Sequence, residues 1–236
     1  MPMGIRRIAK ILSGTGLGVR RDISVPTLRL GSAYGGWEIL ADGLHESAVV
    51  YSFGVGEDIS FDLELIRRYR VTVQAFDPTA RSIEWVRAQQ VPSQFVMHEI
   101  GVGPFDGQAA FRAPSNPEHV SHSMVDAAQH GDAVYWPVRR IATIMTELGH
   151  RRIDLLKMDV EGAEYAVVDD LLAGETRPSQ LLVEFHHRLR GVGVHQTTRA
   201  IQRLRAAGYR LFAISETGDE YSFVHCPGKS PTAARQ

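Results

Sequence analysis

The sequence predicts an α/β fold: a doubly wound, mostly parallel sheet whose last strand is antiparallel. From Ala48 onward, short apolar or β-branched runs alternate with segments whose apolar residues recur at helical spacing. That alternation is typical of parallel strands covered by helices on both faces. The last two runs, YRLFAIS (209–215) and YSFVHC (221–226), are joined by a short turn containing Gly218-Asp219. No crossover helix fits between them, so they must pair antiparallel.

The elements follow in order along the chain. Strands are predicted where a short apolar run ends at a glycine or polar residue, and helices where apolar residues repeat every three to four positions. The predicted strands are 48–53, 71–76, 93–101, 153–158, 179–187, 209–215 and 221–226. The predicted helices are 58–68, 79–90, 140–148, a segment entered through Gly162-Ala163, and 195–208.

Three further segments do not fit the alternation. Residues 28–44 carry several glycines around two aromatic residues, which indicates a glycine-broken lid or sheet edge. Residues 104–114 are predicted to form a hairpin with Asp106-Gly107 as its turn. Residues 114–133 are polar and are predicted to form a long loop, a length that is usually functional or disordered.

Composition excludes several classes of protein. The chain of 236 residues has 26 Lys plus Arg against 27 Asp plus Glu, so no strong field favours nucleic acid or an anionic membrane. Cys226 is the single cysteine, which excludes an intramolecular disulfide and a cysteine-based zinc site and favours a reducing, cytoplasmic location. No uncharged apolar run reaches the roughly 18 residues of an integral membrane span.

The length predicts one domain with elaborations. We expect residues 1–47 to be an N-terminal helical or lid segment, 48–226 the main domain and 227–236 a flexible tail. Ile5, Ile8 and Leu12 would share one face of a short amphipathic helix. The sheet edges and the N-terminal segment would suit a homodimer.

A glycine turn follows the first strand of the alternating region. Gly54 and Gly56 allow a sharp turn and a close approach of backbone to ligand. Asp77 ends the second strand, 21 positions after Gly56. An acid about 20 residues beyond such a turn holds ribose hydroxyls in nucleotide-binding α/β folds. A plain strand-to-helix turn with a capping acid is the alternative.

The residues after the turn argue against a pyrophosphate ligand. The third glycine of the dinucleotide fingerprint would fall at position 59, which is Ile59. Glu57 and Asp58 would repel a pyrophosphate. They would suit a ligand with a ribose and a positive centre but no phosphate, such as S-adenosylmethionine.

Four pieces of the chain resemble the FkbM family of S-adenosylmethionine-dependent methyltransferases: VYSFGVGEDISFD (50–62), AFDPTARSIEW (75–85), IDLLKMDVEGAEY (153–165) and LLVEFHHR (181–188). The most specific is Lys-x-Asp-x-Glu-Gly-x-Glu after an apolar strand. The resemblance covers roughly residues 48–225. It implies a class I methyltransferase (Rossmann-like) fold and an O-methyltransferase acting on hydroxyls of sugars, glycolipids or polyketides.

The resemblance also implies site residues by position. Gly54 and Gly56 would flank the methionine part of the cofactor, and Asp77 would hold the ribose. His98 and Glu99 would meet the adenine edge. Asp159 would lie near the methionine amino group or the transferred methyl. The complete predicted cofactor-binding set is Gly54, Gly56, Glu57, Asp77, Pro78, His98, Glu99 and Asp159.

Candidate catalytic residues follow two neighbouring strands. Ligands of open α/β sheets lie outside the carboxyl ends of the strands, where Asp159, Glu161, Glu184, His186 and His187 all fall. Methyl transfer to a poorly acidic hydroxyl requires alignment of the acceptor and removal of its proton. His186 is the first candidate base and His187 the second, because strand alternation cannot decide which one faces the cleft. Glu161 could orient the acceptor or cap a helix.

A metal-assisted mechanism is an alternative. Asp159, Glu184 and His186 could hold a divalent cation such as Mg²⁺ that acidifies the hydroxyl. Glu184 and His122, with His119 nearby in the long loop, are candidates for contact with a small-molecule or glycan acceptor.

Two other functions stay open at this point. A nicotinamide-dependent oxidoreductase has a similar topology, although Ile59, the acids after Gly56 and the antiparallel ending argue against it. A non-catalytic domain that retains the fold is the second.

Overall fold

The computed structural model describes residues 16–112, 123–124, 133–189 and 191–228. The α/β fold is confirmed in these ranges. The strands are β1 (Thr27–Leu30), β2 (Trp37–Leu40), β3 (Val49–Phe53), β4 (Thr72–Phe76), β5 (Phe95–His98), β6 (Gly101–Val102), β7 (Gly107–Arg112), β8 (Ser123–Met124), β9 (Ala133–Arg139), β10 (Leu155–Met158), β11 (Gln180–Glu184), β12 (Tyr209–Ile214) and β13 (Glu220–His225). The helices are α1 (Ser60–Tyr69), α2 (Ala80–Arg87), α3 (Ile141–Glu147), α4 (Glu164–Ala173) and α5 (Val194–Ala206).

A seven-stranded sheet in the order β12-β13-β11-β10-β3-β4-β5 forms the centre of the fold. The five strands from β11 to β5 are parallel to their neighbours. The final strand, β13, lies between β11 and β12 and is antiparallel to both. The predicted antiparallel ending is therefore confirmed. This topology brings the carboxyl ends of β3, β4, β10 and β11 to one edge of the sheet.

The sheet is buried on both faces, as its continuous apolar strands predict. Consecutive residues of β10 enter different cores: Leu155 packs with helix α1, and Leu156 packs with helices α4 and α5. Both leucines are fully buried. Burying a leucine side chain contributes about 1.5–3 kcal/mol. The two cores hold the strand ends rigidly, which is what a site built on those ends requires.

The segment expected to be a lid or edge is an antiparallel hairpin of β1 and β2. It packs on the central sheet: the Leu40 N–H donates to Gln180 Oε1 at 2.8 Å, and Ser222 Oγ donates to the Glu38 carbonyl at 2.8 Å. Trp37, the first residue of β2, is buried. The glycine-rich turn between its strands, residues 31–36, lies beside the start of α1.

A small second sheet corrects the prediction for residues 104–114. Strand β7 pairs antiparallel with β9, so the predicted local hairpin is wrong. Asp106 instead stabilises the start of helix α3, where its carboxylate accepts from the Arg140 N–H at 2.9 Å and from Thr143 Oγ1 at 2.8 Å. Strand β9 itself was not predicted, since Pro137 interrupts its pattern.

Several expectations lie outside the described residues. These are the helix at Ile5, Ile8 and Leu12, and the loop histidines His119 and His122. The division into segments 1–47, 48–226 and 227–236, the homodimer and the cytoplasmic location stay predictions. None of the helices in the described ranges combines the length and the apolar character that crossing a membrane requires.

Candidate active site

A cavity of about 440 Å³ opens at the carboxyl ends of β3, β4 and β10. Its volume is in the range of small-molecule sites. The glycine turn after β3 and the first residues after β4 and β10 form most of its wall, and the turn of the β1–β2 hairpin covers one side. Its charged lining residues in the described part of the chain are five carboxylates and one lysine: Glu57, Asp58, Asp77, Asp159, Glu161 and Lys157.

The two glycines of the turn have different physical roles. Gly54 has φ +80°, and a Cβ there would lie 1.6 Å from the Asp159 carbonyl oxygen. Gly56 has φ +59°, and a Cβ there would meet nothing within 4 Å. Gly54 is therefore required because two strand ends approach closely, whereas Gly56 is required only by its backbone angle. Lys157 Nζ donates to the Gly54 carbonyl at 2.5 Å and stabilises the same approach.

Asp77 lines the cavity, but its carboxylate is already engaged by the protein. One oxygen accepts from the N–H groups of Val55 at 3.0 Å and Gly56 at 3.1 Å. The other accepts from the Thr79 N–H at 2.9 Å and from Thr79 Oγ1 at 2.7 Å. Asp77 therefore holds the glycine turn in shape. The predicted contact with a ribose would have to share these oxygens.

The two acids that follow the turn face different partners. The carboxylate of Glu57 accepts from Arg81 through both oxygens, at 2.9 and 3.0 Å. Asp58 accepts from Ser32 Oγ at 2.6 Å and from the Ser60 N–H at 2.8 Å. Burial acts to raise the pKa of Asp58, but its hydrogen bonds with Ser32 and Ser60 outweigh burial and lower it. Asp58 thus joins the hairpin turn to the start of α1.

His98 and Glu99 are not among the residues that line the cavity. His98 Nε2 bonds to Gln74 Oε1 at 2.7 Å, and its ring stacks on Phe76 at 4.6 Å. Glu99 pairs with Arg87 at 2.5 Å on the surface. The chain continues past them and places Gly101 and Val102 in the cavity wall. Of the remaining predicted cofactor residues, Gly54, Gly56, Glu57, Asp77, Pro78 and Asp159 all line the cavity.

A histidine surrounded by carboxylates borders this cavity. His186 Nε2 lies 3.6 Å from Asp159 Oδ1, 3.4 Å from Glu161 Oε1 and 3.7 Å from Glu184 Oε1. We call Asp159, Glu161, Glu184 and His186 the acid–histidine cluster. Asp159 and Glu161 also line the cavity, so the cluster and the cavity share one wall. The structure thus brings together candidate residues from two strand ends: Asp159 and Glu161 after β10, and Glu184 and His186 at the end of β11.

The charges within the cluster control its protonation. Burial raises the pKa of Asp159 and of Glu184, and for Glu184 the nearby Asp159 raises it further. Burial acts to lower the pKa of His186, but contacts with Glu161 and Glu164 outweigh it and raise the pKa to about 12. The surrounding carboxylates therefore favour the protonated form of the His186 imidazole.

His187, the second candidate base, points away from the cavity. Its side chain is 1% exposed, and Nε2 lies 3.9 Å from Asp219 Oδ1. Its carbonyl accepts from the Gly193 N–H at 2.9 Å. Consecutive residues after a strand face opposite sides, which is why only one of the two histidines reaches the cluster.

Glu161 and Glu164 follow strand β10, and the structure shows features of both that the sequence pattern does not reveal. Glu164 is fully buried, accepting from the His186 N–H and from the Gly162 N–H, both at 2.7 Å. Glu161 has φ +46°, a conformation that non-glycine residues rarely adopt. Strained residues of this kind cluster at functional sites.

Tyr34 is the exposed aromatic of the hairpin turn. Its ring is 90% exposed, yet it lines the cavity. The N–H groups of Tyr34 and Gly35 both donate to Ser32 Oγ, which anchors the turn. The pKa of its hydroxyl is raised by partial desolvation and by the charges of Asp159, Glu184 and Glu161.

Comparison with known proteins agrees with this architecture. The model of the methyltransferase FkbM domain matches residues 44–211. The chain is 27% identical over 174 residues to a probable methyltransferase-like protein 24 of Rattus norvegicus, covering 69% of this chain and 42% of that protein. The human protein of the same description is 25% identical over 177 residues, with coverage of 69% and 41%. The chain thus spans about two fifths of these relatives.

A solved structure is also similar. The crystal structure of methyltransferase FkbM from Methylobacillus flagellatus KT aligns with a TM-score of 0.49 and 16% identity, covering 77% of this chain and 44% of that one. The family match spans most of the central sheet and both sequence motifs that line the cavity. The chain belongs to the FkbM methyltransferase family.

Proposed function

We propose that this protein transfers a methyl group from S-adenosylmethionine to a hydroxyl oxygen of a sugar, glycolipid or polyketide-type metabolite. The observation that carries the proposal is the charge of the cavity lining, where five carboxylates face one lysine. Such a wall disfavours a pyrophosphate and favours a ligand with an ammonium and a sulfonium. Family membership supports methyl transfer and not the nicotinamide alternative.

The residues at hand fit S-adenosylmethionine. The turn at Gly56 leaves open space for the close approach of a ligand. Asp159 and Glu161 line the cavity, where their charges would stabilise a positive centre. The apolar wall at Phe76 and Val102 suits an aromatic base. The bound donor supplies an electrophilic methyl group: the acceptor oxygen forms the new C–O bond, the S–CH₃ bond breaks with its electrons on sulfur, and a methyl ether and S-adenosylhomocysteine result.

The protein must also take the proton of the hydroxyl. We assign the proton acceptor to Glu161, because Glu161 lines the cavity whereas His186 is not among the lining residues. Glu161 Oε1 lies 3.4 Å from His186 Nε2. His186 is then a positioning residue for the carboxylate. The divalent cation predicted from the sequence is not needed for this proposal, which rests on the cavity alone.

The test is transfer of labelled methyl from S-adenosylmethionine to a panel of sugars, glycolipids and polyketide-type alcohols. We expect transfer by the unaltered protein, and a loss of about 10²–10⁴-fold for Glu161→Gln with unchanged affinity for S-adenosylhomocysteine. Glu175→Gln is the matched control because Glu175 is an exposed glutamate just beyond the C-terminal end of α4. Tight donor binding with no transfer to any acceptor would favour the non-catalytic alternative.

A further inference from the structure

The acid–histidine cluster has a donor set that ion pairing alone does not explain. Asp159, Glu184 and His186 each offer one ligand atom, and these atoms lie within 4.8 Å of one another. They come from the ends of two adjacent parallel strands, β10 and β11, whose register is fixed by the sheet. Two carboxylates and an imidazole form a mixed oxygen and nitrogen set that suits a divalent cation.

The spacing of the donors is informative. His186 Nε2 lies 3.4–3.7 Å from three carboxylate oxygens. A direct N–H···O hydrogen bond would be about 2.7–3.2 Å long. Ligands held about 2.1 Å from a shared cation are separated by roughly 3.0–3.4 Å in octahedral or tetrahedral geometry. The proposed carboxylate ligands, Asp159 at 3.6 Å and Glu184 at 3.7 Å, are therefore too far from Nε2 for direct hydrogen bonds. These distances exceed the separation of ligands around a cation by only a few tenths of an ångström.

The second nitrogen of the same ring supplies an independent observation. His186 Nδ1 lies 3.4 Å from Glu164 Oε1, and Glu164 has no exposed surface. The Glu164 carboxylate is itself held by two backbone N–H groups at 2.7 Å. At this separation Nδ1 is buried without a hydrogen-bond partner among the residues that the structure describes. Metal-binding histidines almost always donate their second ring N–H to a carboxylate, which orients the ring and leaves the first nitrogen for the metal. A small rotation of the His186 ring on binding a cation would shorten its contact with Glu164 to such a hydrogen bond.

We propose that Asp159, Glu184 and His186 bind a divalent cation, and that Glu164 is the positioning residue that orients His186 for it. The cation site shares a wall with the cavity through Asp159. If the proposed function holds, the acceptor hydroxyl would complete the coordination, where a cation makes it more acidic and aligns it. Glu161 stays on the cavity side as proton acceptor.

The experiment is a titration of the metal-stripped 236-residue chain with Mn²⁺, followed by electron paramagnetic resonance of the free and bound ion. We expect one saturable site and a ¹⁴N coupling from His186 in the bound spectrum. Glu184→Gln and His186→Gln should each weaken Mn²⁺ binding at least tenfold, and Glu164→Gln by about 10–100-fold. His195→Gln is the matched control, because His195 is exposed at the start of α5 and is not a member of the cluster.

The outcomes separate this inference from the proposed function. Absence of saturable Mn²⁺ binding, or binding without ¹⁴N coupling, by protein that still binds S-adenosylhomocysteine would overturn the cation site and leave methyl transfer intact. Mn²⁺ binding that Glu184→Gln and His186→Gln leave unchanged would also overturn it. The ¹⁴N coupling needs no variant, so the test holds even where a substituted protein fails to fold. Mn²⁺ binding without affinity for S-adenosylhomocysteine would support the cation site and contradict the proposed function.

Discussion

Replacing Asp77 by alanine should destabilise the protein and not merely weaken a cofactor contact. The substitution removes four hydrogen bonds: two from the Val55 and Gly56 N–H groups and two from Thr79. Hydrogen bonds to a charged group contribute about 1.5–3 kcal/mol each, although their losses are not additive. Thr79 can turn to water, but the Val55 bond is buried. We expect a loss of about 3–5 kcal/mol in the free energy of unfolding.

The assay is denaturation in urea followed by circular dichroism, with Asp77→Ala compared with the unaltered protein. Asp42→Ala is the control, because Asp42 is an exposed aspartate and its loss should change stability by less than about 0.5 kcal/mol. The structural role of Asp77 would be contradicted if Asp77→Ala lowered the free energy of unfolding by less than about 1 kcal/mol and also abolished affinity for S-adenosylhomocysteine. That outcome would show that the carboxylate serves the ribose, as the sequence alone predicted.

Two further predictions concern the turn and strand β5. Gly54→Ala should destabilise the protein by more than about 3 kcal/mol, because its Cβ would overlap the Asp159 carbonyl. Gly56→Ala should cost only about 1 kcal/mol of backbone strain, because a Cβ there meets no other atom. Equal losses of stability for the two variants in urea denaturation would contradict this difference. Burial lowers the pKa of His98 below 6.5, so the unfolded chain binds the proton first and stability should fall as the pH drops through 6.5, levelling off below the folded pKa. Titration of the His98 ring by NMR tests this, and a pKa at or above 6.5 would be evidence against it.

Much of the central sheet could be predicted from local pattern. The parallel strands are short apolar runs with buried faces on both sides, so their identity does not depend on distant partners. The antiparallel ending followed from the short turn at Gly218 alone. Strand β9 could not be predicted in the same way, because Pro137 breaks its pattern and its pairing with β7 crosses the 113–132 segment. Asp106 shows the same limit: its Asp-Gly pair signals a turn, but its carboxylate serves helix α3.

The sequence predicted which residues gather at the candidate site better than it predicted what each residue does there. Sequence position brought Asp159, Glu184 and His186 to one edge, since parallel strands end together. It could not decide between His186 and His187, which requires knowing the direction of the chain after β11. Glu164 could not be recognised as the partner of His186, because burial and contacts between distant residues are not visible in a linear pattern.

We expect the acidic cavity to bind a nucleoside that carries an ammonium group, as S-adenosylhomocysteine does, and to reject a ligand that carries a pyrophosphate. Calorimetric titration of the folded protein with S-adenosylhomocysteine, and separately with NAD, tests it most directly. We predict saturable one-to-one binding of S-adenosylhomocysteine and no binding of NAD. Binding of NAD, or of neither ligand, would contradict the claim.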